Sequence, residues 1–131
     1  MSNQVLDVPR ASDKPGISIC QYPLNNRFNQ RWTLHKVGQF YQIENLKTRM
    51  FLDVKGESKK PGAHIIQWKS TGALNQHWII EYQGKNLYFI KSAMDESLFM
   101  TVKDNSLKEC ADIVTTNHDE ECYWKVMGYI P

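Results

Sequence analysis

No stretch of the 131 residues approaches eighteen apolar positions, so no membrane-spanning helix is expected. Charge of one sign is also missing: 16 Lys and Arg against 14 Asp and Glu leave a net charge of +2. That balance excludes a chain whose main task is to hold phosphate backbones, so no nucleic-acid partner is expected. The start, Met-Ser-Asn-Gln, has no basic segment followed by an apolar run. This sets the expectation of a cytoplasmic chain, with leaderless release as its route outward. Cysteine is sparse and odd in number: Cys20, Cys110 and Cys122. Such a set reads as reduced thiols rather than a disulfide framework, with a Cys110–Cys122 bridge as the alternative.

Catalytic signatures are equally scarce. His35, His64, His77 and His118 show no metal-ligand spacing, and there is no Cys-x-x-Cys. No glycine-rich phosphate loop appears. His77 and Cys122 are far apart in sequence and form no nucleophile–base motif. No enzyme activity, metal or cofactor is therefore expected. No amphipathic helix of ten or more residues can be drawn either. What remains is ordinary globular material, 41% hydrophobic and 23% charged, sized for one domain over residues 1–131.

The chain repeats itself. A shift of 46 residues lays Leu6-Asp7-Val8 on Leu52-Asp53-Val54 and Lys14-Pro15-Gly16 on Lys60-Pro61-Gly62. It also matches Ile19 to Ile65, Gln21 to Gln67, and Asn29-Gln30 with Trp32 to Asn75-Gln76 with Trp78. A third copy is worn: Phe99-Met100-Thr101-Val102 follows Phe51-Leu52-Asp53-Val54, and Trp124 follows Trp78. Self-similarity at this period implies stacked or symmetric units.

Each unit contains short β-branched or aromatic runs bounded by Gly, Pro, Asn and Ser, which read as strands. The runs are residues 5–8, 17–19, 32–34 and 40–43, recurring at 51–54, 64–66, 78–80 and 87–90, then 99–102, 112–115 and 124–126. Three units of four strands predict an all-β fold, a closed pseudo-threefold barrel or β-trefoil, with repeats near residues 1–37, 38–84 and 85–131. The first repeat lacks its leading strand. Tyr129-Ile130 is expected to supply it by pairing near Val5. Trp32, Trp78 and Trp124 are expected in the core, as Trp buries much area. Trp68, replaced by Tyr22 and Thr116 in the other copies, reads as an exposed platform.

The Leu-Asp-Val and Asn-Gln-x-Trp sets of the first two repeats resemble the ricin B-type lectin family of β-trefoils. The resemblance implies a non-enzymatic lectin for galactose- or N-acetylgalactosamine-type glycans and glycoproteins, with one shallow pocket per repeat. It assigns Asp7, Tyr22, Asn29 and Gln30 to the first pocket and Asp53, Trp68, Asn75 and Gln76 to the second. The third would hold Thr101, Thr116, Glu121 and Cys122, without the Asp, the platform or either amide side chain, and is expected to be degenerate. The chemistry is coherent on its own. A ring covers the apolar face of a pyranose, a carboxylate accepts strongly from neighbouring hydroxyls, and an amide both donates and accepts. Two structural roles compete. The Asp residues could satisfy turn amides, and the Gln residues could bond buried backbone or hold the Asp in place. The rival reading is a β-trefoil protease inhibitor acting through residues 10–14 or 103–110. A cytoskeletal or signalling trefoil bound by protein contacts is the third. Oligomeric state is left open.

Overall fold

The computed structural model describes residues 3–131. Met1 and Ser2, the start of the first repeat, lie outside the described residues. Ten strands follow one another: β1 Gln4–Asp7, β2 Cys20–Pro23, β3 Trp32–Val37, β4 Phe40–Asn45, β5 Phe51–Val54, β6 Ile65–Trp68, β7 Trp78–Tyr82, β8 Tyr88–Ser92, β9 Asp95–Val102 and β10 Ile113–Thr116. All helical turns among the described residues are single 3-10 turns of three residues.

The repeats share one internal pattern. β1 pairs with β2, β5 with β6 and β9 with β10, all antiparallel, so Asp7 faces Cys20, Asp53 faces Ile66 and Thr101 faces Val114. After β1, β5 and β9 the chain makes a tight turn through a left-handed residue: Arg10 at φ 54°, Gly56 at 65° and Asp104 at 56°. Glycine carries no Cβ penalty there, and only the second repeat has it.

The core is triplicated too. Ile19, Ile65 and Ile113, at equivalent positions, are all fully buried, with Leu52, Val54, Met100 and Val8 around them. The indole Nε1 of Trp32, Trp78 and Trp124 donates to the carbonyl of Leu6, Leu52 and Met100, at 3.2, 3.2 and 2.9 Å. Each Trp therefore brings area and a satisfied polar handle. Only Trp78 is completely enclosed; Trp32 and Trp124 are partly buried and packed against the core.

The expectation of a closed barrel is corrected. β1 and β2 form a sheet of their own, and the other eight strands form an open path, β10-β9-β8-β7-β4-β5-β6, with β3 on β4. The C-terminus does not supply a missing strand. Val5 pairs with Tyr22. Beyond Trp124, which makes a single bridge to Tyr88, no strand forms. Gly128 turns the chain at φ 128°, and Tyr129 stays 86% exposed. The Tyr41 hydroxyl donates to the Pro131 carbonyl at 2.6 Å. A terminal residue that buries so little apolar area has little to offset the cost of ordering it. Residues 17–19 are also not a strand, and β2 begins at Cys20. They bond to other repeats instead, through a Ser18–Ile66 bridge and Ile19 N to Ile65 O, 2.9 Å.

Contacts between repeats follow a cyclic order. The Gln21 amide donates to the Ser106 and Lys108 carbonyls of repeat three, both at 2.8 Å. The Gln67 amide donates to Ser12 and Lys14 of repeat one, at 2.8 and 2.9 Å. Thr115 of repeat three reaches the Lys60 carbonyl of repeat two at 3.4 Å. Each repeat thus grips the loop of another.

Candidate functional site

The second repeat builds its site around Asp53, near the end of β5. The side chain is 5% exposed. One carboxylate oxygen, Oδ1, accepts from the Asn75 amide at 3.0 Å, and the other, Oδ2, accepts from the Gln76 amide at 2.9 Å. Both donors are locked in orientation. The Asn75 amide also donates to Val54 O at 3.2 Å, and that of Gln76 to Lys69 O at 2.8 Å. The Gln76 carbonyl accepts from the Thr71 backbone at 3.0 Å. A single 3-10 turn, Leu74–Gln76, places both amides. Trp68 ends β6 opposite Phe51, with a relative exposure of 37%.

These groups border a cavity of about 470 Å³. Asp53, Asn75 and Trp68 line it, with Lys55, Glu57 and, from repeat one, Gly16. Gln76 is fully buried and does not line the cavity. It positions the acid, which is the structural role weighed for it from the sequence.

The first repeat reproduces the arrangement 46 residues earlier. Asp7 is 4% exposed. Gln30 donates to its Oδ2 at 2.8 Å and Asn29 to the same oxygen at 3.4 Å. Asn29 also bonds Val8 O, Gln30 bonds Pro23 O, and the Asn25 backbone bonds the Gln30 carbonyl, at 3.1, 2.9 and 2.8 Å. One difference stands out: both amides meet one oxygen of Asp7, whereas Asp53 engages both of its own. Tyr22 is half-buried at the position of Trp68, opposite Val5.

Burial raises the carboxyl pKa of both acids above the usual range; the Gln30 and Gln76 amides oppose that shift without cancelling it. Each acid is thus a desolvated acceptor held from behind by amides.

The third repeat keeps a cavity, about 500 Å³, but its lining is different. Thr101 and Thr116 take the places of acid and ring. Buried Cys122 takes the place of the Gln, and its thiol donates to the carbonyls of His118, at 3.1 Å, and Glu120, at 3.5 Å. Glu121, at the Asn position, is exposed at φ 58°. No cluster of metal-ligating side chains occurs among the described residues. All three cysteines are free.

The sequence reading missed Gly16, Lys55, Glu57 and Ala73 as lining residues. A signal for the first existed, since Lys-Pro-Gly recurs in the second repeat.

Comparison with known proteins places the chain in a family. The profile of the ricin-type beta-trefoil lectin domain-like family matches residues 1–68 and 28–116. The chain belongs to this family. Ricin-type lectin domains are non-catalytic carbohydrate-binding modules. The lectin is similar in structure to ThreeFoil, a designed threefold-symmetric protein, at 25% identity and a TM-score of 0.93, covering 98% of this chain and 93% of that one. It also matches an exo-beta-1,3-galactanase from Clostridium thermocellum, at 34% identity and a TM-score of 0.88 over 93% of this chain. It spans 27% of the galactanase's length. A Macrolepiota procera ricin B-like lectin, solved with lactose, shares the fold at 15% identity and a TM-score of 0.75, with 95% of each chain covered. A comparison with curated protein sequences finds no match.

Proposed function

We propose that this lectin binds galactose- or N-acetylgalactosamine-type glycans through two shallow pockets, one in each of the first two repeats. The observation that carries this reading is the duplicated acid. Asp7 and Asp53 are each buried, each bonded by the Asn and Gln of the same motif, and each in a hairpin whose other strand carries an aromatic residue. A turn-forming role would not call for a desolvated carboxylate backed by two amides.

In each pocket the aromatic ring, Tyr22 or Trp68, covers the C–H face of the sugar. The carboxylate accepts from two adjacent hydroxyls, in charge-assisted bonds about twice as strong as neutral ones. Asn29 or Asn75 borders the hydroxyl rim. Gln30 and Gln76 hold the acids in place. The third cavity has Thr101 where the other repeats have the acid and Thr116 where they have the ring, and contributes no galactose site. The galactanase relative supports the choice of sugar, since its name specifies a galactose polymer. Residues 10–14 and 103–110, the loops a protease inhibitor would use, include the carbonyls gripped by Gln67 and Gln21. Bracing of the sugar sites accounts for them.

Calorimetric titration with galactose and lactose tests the proposal. Two sites per chain are expected, with Tyr22→Ala and Trp68→Ala each removing one and the double variant removing both. A third site, or full binding by the double variant, would overturn it.

A further inference from the structure

Each pocket is faced by a residue from another repeat, and backbone register identifies it. The Ser18–Ile66 bridge, continued by Gly16 N to Gln67 O at 2.8 Å, sets Gly16 opposite Trp68. The His64–Val114 bridge, with Gly62 N to Thr115 O at 2.7 Å, sets Gly62 opposite Thr116. The Cys20–Asp112 bridge, with Cys110 N to Gln21 O at 2.8 Å, sets Cys110 opposite Tyr22. Gly16 and Gly62 line the cavities of repeats two and three. Glycine leaves the platform open there: a Cβ at Gly16 would already stand 3.7 Å from the Trp68 ring.

In the first repeat that place carries a side chain. Cys110 is exposed and adopts φ 65°. The Cys20–Asp112 bridge also brings it near Cys20, the register partner of Asp7. The register thus puts a side chain beside Tyr22 at the place that Gly16 holds beside Trp68.

We infer that Cys110, contributed by repeat three, is the specificity-determining residue of the first pocket, narrowing it beside Tyr22 so that it favours a single sugar unit. The second pocket, open at Gly16, takes a longer glycan. This rests on the sugar-binding reading above.

The test isolates each pocket. Trp68→Ala leaves only the first, and Tyr22→Ala only the second. The ratio of lactose to galactose affinity should be lower for Trp68→Ala than for Tyr22→Ala. Adding Cys110→Gly to the Trp68→Ala protein should raise that ratio toward the value of the second pocket. Glycine suits the positive φ, so this variant should fold. N-ethylmaleimide should add once, at Cys110, because Cys20 and Cys122 are each 2% exposed, and burial pushes the Cys20 thiol up to about 12. The adduct should abolish galactose binding by Trp68→Ala and leave Tyr22→Ala unchanged. A ratio unmoved by Cys110→Gly, or a Cys110 adduct that still binds galactose in the first pocket, would overturn the inference. If neither unmodified single variant bound either sugar, the sugar-binding reading itself would fall.

Discussion

Replacing the two acids by asparagine should have unequal effects, for a reason visible in the hydrogen bonds. In Asp53 both oxygens are engaged, Oδ1 with Asn75 and Oδ2 with Gln76. Neither donor can turn over to become an acceptor without giving up its bond to Val54 O or Lys69 O. Asp53→Asn therefore sets a new NH2 group against a locked N–H donor. A buried donor left unsatisfied costs about 1–3 kcal/mol. Relief of the buried charge offsets part of this, since desolvation disfavours the ionised form. In Asp7 both amides meet Oδ2. Asp7→Asn can keep its carbonyl there and turn its NH2 to the side of Oδ1, so its cost should stay below about 1 kcal/mol. For a domain of this size each kcal/mol shifts Tm by roughly 3–6 °C. Thermal unfolding followed by circular dichroism should thus show a clear loss for Asp53→Asn and a small one for Asp7→Asn. Calorimetry should show at least about tenfold weaker galactose binding at the altered pocket in both, because the charged acceptor is gone. Equal Tm losses, or a larger loss for Asp7→Asn, would refute the reasoning about locked donors.

Trp78→Ala should cost about 3–5 kcal/mol in chemical denaturation, whereas Trp68→Ala should cost far less and abolish binding in the second pocket. Galactose affinity should fall on acidification with a midpoint above the ordinary Asp range, because the raised carboxyls of Asp7 and Asp53 take up protons early. Their effect on stability runs the other way: through the window between the unfolded and the raised folded pKa, the folded state holds more protons. Stability from these two groups therefore increases as pH falls, which urea titrations at several pH values can check. Deleting residues 128–131 should change stability by about 1 kcal/mol or less, the worth of a hydrogen bond such as that from Tyr41; a large loss or aggregation would show that the terminus packs more than this.

The internal shift of 46 residues makes both acids, both amide pairs and both aromatic positions legible in the amino-acid order alone. It works because the acid, the amides and the ring are local to a repeat: a hairpin and one 3-10 turn. What is not legible is non-local. Residues 17–19 look like a strand, but Ile19 spends its backbone N–H on Ile65 of the next repeat. Tyr129-Ile130 matches a strand pattern, yet nothing in a local pattern reveals that Tyr129 finds no apolar cover. The roles of Gln21 and Gln67 are hidden for the same reason, as their partners lie 85 and 55 residues away. Trp32 and Trp124 show the pattern of Trp78 but sit nearer the rim, a matter of layer rather than sequence.

The ring of grips between repeats changes what it means for the third copy to be worn. Having lost acid, ring and amides, it could be taken for a disposable remnant. Yet Gln21 holds the carbonyls of Ser106 and Lys108, and the same loop delivers Cys110 opposite Tyr22. The third repeat is a wall of its neighbour's room. Of the two proposed pockets, a shortened chain of two repeats is expected to keep the one that leans on repeat one and lose the one that leans on repeat three. Loss of a ligand set and loss of a job are separate events in such a ring, so a copy can fall silent while its loop still shapes what another copy recognises.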